Sequence, residues 1–132
     1  MSQENVELLR AVYEQYGRGN FRAGLELYDP HVLLVTRSDL PDADRCIGID
    51  SISAYMREYL DPFTDVTWTA EEFIEAEGSV VVAAQQHGMG KGSQPSVDGR
   101  LFTVWTFRGR TVIRIEFFAD RAKALEAVGL RE

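Results

Sequence analysis

Few residues in this chain are suited to acid–base chemistry. There are two histidines, His31 and His87, and one cysteine, Cys46, in 132 residues. Histidine is the one side chain whose unperturbed pKa lets it take and give protons near neutrality. A turn at Ser93-Gln94 places Gln85 opposite Phe102 and His87 opposite Arg100. A turn at Glu77-Gly78 places Trp68 opposite His87 and Glu72 opposite Ala83. Cross-strand partners share a face, so His87, Gln85, Arg100 and Trp68 are expected to form a polar cluster at one end of an otherwise apolar face. There His87 is the candidate base, and Arg100 the candidate anchor for a carboxylate or enolate. The competing reading makes His87 a solvent-facing or hydrogen-bonded structural residue.

Tyr13, Tyr16, Tyr55 and Tyr59 fall on the inner sides of two helical segments. Such phenols can donate to a ligand carbonyl, and Tyr13 is the candidate oxyanion stabiliser, with core packing as the alternative. Asp39, Asp42, Asp44 and Arg45 lie in a polar loop that could act as a lid or simply be solvated. Glu72 and Glu116 sit in strands; Glu72 facing inward would be a buried base with a raised pKa. Asp120 follows the last strand and is read as a helix cap, and His31, after Pro30, as exposed. Two histidines and one cysteine without ligand spacing predict no metal site. No phosphate loop or nucleotide fingerprint is present, and no cofactor is expected.

These residues must be held by the elements around them. Residues 97–120, VDGRLFTVWTFRGRTVIRIEFFAD, read as two strands folded back at Gly109-Arg110, where glycine suits a type II′ turn. That turn sets Thr106 opposite Ile113, Val104 opposite Ile115 and Phe102 opposite Phe117. These six form an apolar face expected to line a cavity together with Tyr16, Tyr55, Tyr59, Trp68 and Gln85. The other face carries Trp105, Phe107 and Phe118. A monomer rarely exposes so many aromatics together, so a homodimer through that outer face is expected.

Ahead of the hairpin, Val6, Leu9, Val12/Tyr13 and Tyr16 have helical spacing, with Ser2 as a possible cap and Gly17-Arg18-Gly19 as the stop. A second helix is predicted from Asn20 to Asp29-Pro30 on Phe21, Leu25 and Tyr28. His31–Thr36 is a short strand, 37–48 a loop, and Asp50 caps a third helix ending at Asp61-Pro62. Four antiparallel strands and a terminal helix closed by Gly129 complete an α+β domain of residues 1–132. A long twisted sheet curling around three helices leaves a conical cavity, the usual place for a small molecule.

Net charge is −7, from 14 Lys plus Arg against 21 Asp plus Glu. With no basic stripe, nucleic acid and anionic membranes are not expected partners. No apolar run approaches the roughly 20 residues of a membrane span. The acidic, amphipathic start is unlike a signal peptide, so a cytoplasmic location is expected.

The opening VELLRAVYEQYGRGNFRAGLELYDPHV, the stretch GIDSISAYM and the end VWTFRGRTVIRIEFFADRAKALEAVGL together resemble the SnoaL-like branch of the nuclear transport factor 2-like superfamily. The resemblance implies a cone-shaped α+β fold, a curved antiparallel sheet wrapped around three helices with an internal cavity. It also implies a range of functions: cyclases, isomerases, epoxide hydrolases, dehydratases and non-catalytic binding domains. Isomerase-like relatives use a carboxylate at the end of the first strand, where this chain has Leu34 and Val35, and a helix tyrosine whose place Val12 takes, one step from Tyr13. Cyclase-like relatives use an aspartate on the last strand, where Phe117 stands. The Asp-Arg-Asp set of the epoxide hydrolases cannot be assembled. The resulting expectation is a protein that binds a small, mostly apolar molecule, with Leu34 and Phe117 in the pocket. Catalysis would be cofactor-free isomerisation or cyclisation of a carbonyl compound by His87, Tyr13 and Arg100. A non-catalytic binding or interaction module and an epoxide-hydrolase-like enzyme are the alternatives.

Overall fold

The fold is taken from a computed structural model that describes residues 2–38 and 40–131. It comprises α1 (Ser2–Tyr16), β1 (Tyr28–Val35), β2 (Arg45–Ile47), α2 (Ile49–Leu60), β3 (Phe63–Ala76), β4 (Ser79–Gly90), β5 (Val97–Arg108), β6 (Thr111–Phe118) and α3 (Arg121–Ala127), with a 3₁₀ turn at Leu25–Leu27. The strands form one sheet in the order β2-β1-β6-β5-β4-β3. It is mixed rather than wholly antiparallel, because β1 runs parallel to β6. The result is the expected cone-shaped α+β fold, a curved, unclosed sheet with α1 and α2 on its inner side.

Helix α1 forms as its apolar spacing predicts, and Val6, Leu9, Val12, Tyr13 and Tyr16 are all buried. It ends at Tyr16, and the turn that follows closes at Gly19, whose φ of +85° is the left-handed conformation glycine adopts at no steric cost. The second helix does not form. Gly24 takes φ +87° beside Val12 and breaks the spiral, leaving one 3₁₀ turn. Asn20 instead closes a local turn, its Oδ1 accepting from the Arg22 amide at 3.2 Å. The loop before α2 contributes the short strand β2, paired antiparallel with β1.

The tip of the central hairpin folds as predicted, with Arg108 opposite Thr111 and Phe107 opposite Val112. Beyond it Thr106 pairs with Arg114, so Ile113 is an extra residue in β6. Past such a bulge every partner changes face. Trp105 now pairs with Ile115 and Thr103 with Phe117, on the inner side; Val104 pairs with Glu116 and Phe102 with Phe118, on the outer side. The expected aromatic dimer surface is therefore absent. Trp105 and Phe107 are buried in the main core, and Phe118 lies beneath α3.

Helix α3 covers the outer side of the sheet, opposite α1 and α2, with Ala124 and Leu125 over Val81, Ala83, Phe102, Val104 and Phe118. Asp120 caps it, accepting from the Lys123 amide at 3.2 Å, and Gly129 follows its end at φ +80°, both as the sequence indicates. Strand β4 lies between the two layers, which explains the unbroken apolar run Val80–Ala84.

Gly24 offers a direct check on this packing. A Cβ there would sit 2.8 Å from Val12 Cγ2, in addition to the positive φ. Gly24→Ala is expected to cost about 2–3 kcal/mol in denaturant unfolding, and Gly129→Ala, with nothing within 4 Å of the added carbon, only about 1 kcal/mol.

Candidate functional site

The inner side of the sheet, α2 and the segment between α1 and β1 enclose a cavity of about 390 Å³. Its floor is Leu34 of β1, Ile115 and Phe117 of β6, Trp105 of β5 and Trp68 of β3. One wall is Ile52, Ser53, Met56, Arg57 and Leu60 of α2, and the other is Tyr16, Gly19, Asn20, Phe21, Arg22, Leu25 and Tyr28. The aromatic rings brace one another. Tyr16 meets Trp68 edge-to-face with centroids 5.6 Å apart and stacks on Phe21 at 5.2 Å, and Trp68 meets Phe117 at 5.8 Å. Pairs in these orientations contribute about 0.5–1.5 kcal/mol beyond their buried area.

Both indole N–H groups are already committed. Trp68 Nε1 donates to Gln86 Oε1 at 2.9 Å, and the same oxygen accepts from the Tyr59 hydroxyl. Trp105 Nε1 donates to the Tyr13 hydroxyl at 3.0 Å. Tyr13 also meets the Thr103 side chain, is buried, and belongs to the core rather than the cavity lining. The phenols left in the cavity lining are Tyr16 and Tyr28, which are close enough to influence each other electrostatically. Each carries an O–H that can donate to an acceptor oxygen. Burial raises both pKa values, that of Tyr28 to about 12.

The structure disperses the polar cluster expected around His87. Gln85 pairs with Arg100 and His87 with Asp98, so the three residues do share a face, but it is the outer one. His87 is exposed, Gln85 donates to Asp98 at 2.7 Å, and Arg100 is ion-paired with Glu71 at 3.0 Å. Trp68 lies on the inner side because β3 carries a bulge between Ala70 and Glu72; its partner is Gln86, one residue from His87. Phe102 and Val104 lie under α3, and Thr106 meets Ser79 on the outer side. Of the expected pocket residues, Tyr16, Leu34, Trp68, Ile115 and Phe117 line the cavity. Tyr59 lies behind it, meeting Trp68 edge-to-face at 6.5 Å and sharing Gln86 with it. Tyr55 stacks on Tyr59, 6.3 Å away, and faces Cys46 and Asp44.

The remaining carboxylates also lie away from the cavity. Asp42, Asp44 and Arg45 are exposed, and Asp39 is outside the described residues. Glu72 is exposed and paired with Arg121, which lowers its pKa. Glu116 holds Arg114 and accepts from Ser38 on the outer side. Among the described residues no Asp, Glu or His lines the cavity, and no group of three His, Cys, Asp or Glu is placed to hold a metal ion. No described helix is long and apolar enough to cross a membrane. Sequence reading missed Gln86, Arg22 and Arg57. Gln86 had a signal, since it alternates with Val80, Val82 and Ala84 on the strand's inner face.

With this geometry the comparisons agree. The family model of the SnoaL-like domain matches residues 9–115, and the chain belongs to that family. Among solved structures it is similar to a candidate SnoaL-like polyketide cyclase from Jannaschia sp. CCS1, at 20% identity over 99% of this chain and 95% of that one, with a TM-score of 0.76. It is also similar to a nuclear transport factor 2-like protein of unknown function from Burkholderia pseudomallei K96243, at 20% identity over 95% and 97% of the two chains, with a TM-score of 0.73. A third is TerC, crystallised with polyporic acid, at 19% identity over 94% and 96%, with a TM-score of 0.71. No curated protein matches the chain.

Two measurements check the site. Gln86→Leu leaves the Trp68 and Tyr59 donors without their acceptor, and is expected to cost about 2–4 kcal/mol in denaturant unfolding. All five tyrosines have raised pKa values, mainly through burial. In the unfolded chain they ionise at about 10. The folded state resists ionisation, so its stability is complete below that pH and falls between 10 and about 12. Phenolate absorbance should therefore show no separate step at pH 10; it should rise steeply together with unfolding as followed by circular dichroism.

Proposed function

We propose that this chain binds one small, mostly apolar molecule in the conical cavity, with rings against the aromatic floor and an oxygen accepting from the Tyr16–Tyr28 pair. The observation that carries this reading is the cavity itself. It has the size of a small-molecule site, its lining is mostly apolar, and it carries a few donor side chains, the pattern such sites share. The solved structure of TerC with polyporic acid supports the same use of the fold.

A second reading is cofactor-free acid–base chemistry on a carbonyl compound: isomerisation, cyclisation or dehydration. The phenols of the lining favour it, because an O–H aimed at a carbonyl oxygen stabilises the enolate that forms when a neighbouring proton leaves. Binding ranks first because the described lining supplies no proton acceptor suited to neutral pH. Leu34 and Phe117 occupy the positions where resemblance implies carboxylates. His87 and Arg100 lie across the sheet and Tyr13 is tied to Trp105, so none of the three supports the catalytic role first expected of it. The hydrolase alternative requires two inward carboxylates near an arginine, and the described lining contains none.

Calorimetric titration with neutral aromatic ketones such as acetonaphthone tests the reading. Binding is expected in the wild type. Met56→Trp, which fills the cavity from α2, should weaken it at least roughly tenfold with the far-ultraviolet dichroism unchanged. Tyr28→Phe should weaken it by about threefold to tenfold, the loss of one hydrogen bond. Failure of every ketone to bind, or binding indifferent to Met56→Trp, would rule the cavity out as the site.

A further inference from the structure

The rim of the cavity carries a charge that the apolar walls do not explain. Arg22, from the segment before the 3₁₀ turn, and Arg57, in the last turn of α2, both line the cavity from opposite walls and are both exposed. Neither makes an ion pair among the described residues, whereas Arg18, Arg100, Arg108 and Arg121 each hold a carboxylate at 2.8–3.1 Å. Arg45 and Arg131 also lack an ion pair among the described residues, but neither lines the cavity. Arg22 and Arg57 both border one opening, and no acidic side chain among the described residues lines the cavity there.

We infer that the ligand is an aromatic carboxylic acid, its rings in the cavity and its carboxylate held at the rim by Arg22 and Arg57. The chemistry fits each part. Guanidinium presents a planar fork of N–H donors that matches a carboxylate's two oxygens, and such charge-assisted hydrogen bonds are about twice as strong as neutral ones. The net charge of −7 repels anions at long range, so selectivity for an acid must arise locally, where these two arginines stand. Ser53, on the turn of α2 preceding Arg57, adds a hydroxyl at the same edge. The inference rests on the cavity being the binding site, and its experiment separates the two.

The probes are β-naphthoate and its methyl ester, which share a ring system and differ in charge, titrated calorimetrically at low salt. The acid is expected to bind roughly tenfold more tightly than the ester to the wild type, the size of effect a charge-assisted contact gives. The double variant Arg22→Gln, Arg57→Gln should lose that advantage, binding acid and ester with similar affinity. Arg100→Gln, on the outer face, should leave both affinities alone. Both substituted side chains are exposed, and a thermal unfolding curve for the double variant confirms that its fold is retained. Equal binding of acid and ester by the wild type, or an advantage that survives in the double variant, overturns the inference and leaves the cavity reading standing. Failure of both probes overturns the two together.

Discussion

In the β5–β6 hairpin a single extra residue, Ile113, decides which side chains of each strand go inward. Both faces of the hairpin are apolar, so the hydrophobic effect alone does not choose between registers. The bulge does. It sends Trp105, Ile115 and Phe117 to the side where α1 and α2 stand, and Phe102, Val104 and Phe118 to the other. The second group cannot be left in water, and the chain continues into α3, which lays Ala124 and Leu125 over it. The cavity floor and the existence of the last helix thus follow from one local irregularity. Strand β4, buried on both faces, records the same arrangement from the neighbouring position.

Within the cone, polar groups are matched before any ligand arrives. The indoles of Trp68 and Trp105 give their protons to Gln86 and Tyr13, so the two largest rings are fixed in orientation by hydrogen bonds as well as by packing. Tyr16, Phe21 and Phe117 then brace Trp68 from three directions. A framework held this way resists collapse into the space beside it, which explains how an opening of this size persists among residues that would otherwise pack to crystal-like density. A preformed apolar cavity also needs little ordering when something enters it.

The long-period features of this fold were legible in the sequence. The apolar spacing of α1, the Asp120 cap, the turns at Glu77-Gly78 and Gly109-Arg110 and the four-strand run all appear where local chemistry places them. What could not be read was set by tertiary contact or by single-residue irregularity. Gly24 turns left-handed because it lies against Val12, a residue 12 positions away, and so a stretch with helical spacing becomes a loop. The bulges in β3 and β6 each change a face, which moved His87 outside and Gln86 inside and turned an apparent dimer surface into core. Arg22 and Arg57 carry no local signal at all; only the approach of α2 to the 19–28 segment makes them neighbours of one opening.

The site's electrostatics follow from what the cavity lacks. A carboxylate at Leu34 or Phe117 would place an acceptor and a negative charge on the floor, and would draw Arg22 and Arg57 into ion pairs or repel an anionic ligand. With apolar side chains there, the polar functions that face the space are chiefly donors: a phenol O–H that burial keeps protonated well above neutral pH, and two guanidiniums that never lose their charge. For the binding proposed above, a cavity that mainly donates would favour molecules rich in acceptor oxygen. In the proposed complex its depth would order those oxygens, a neutral phenol meeting one inside the apolar space and the charged arginines another at the exposed edge. Rings between two oxygenated ends match that distribution, and an oxygenated floor in the protein would destroy it.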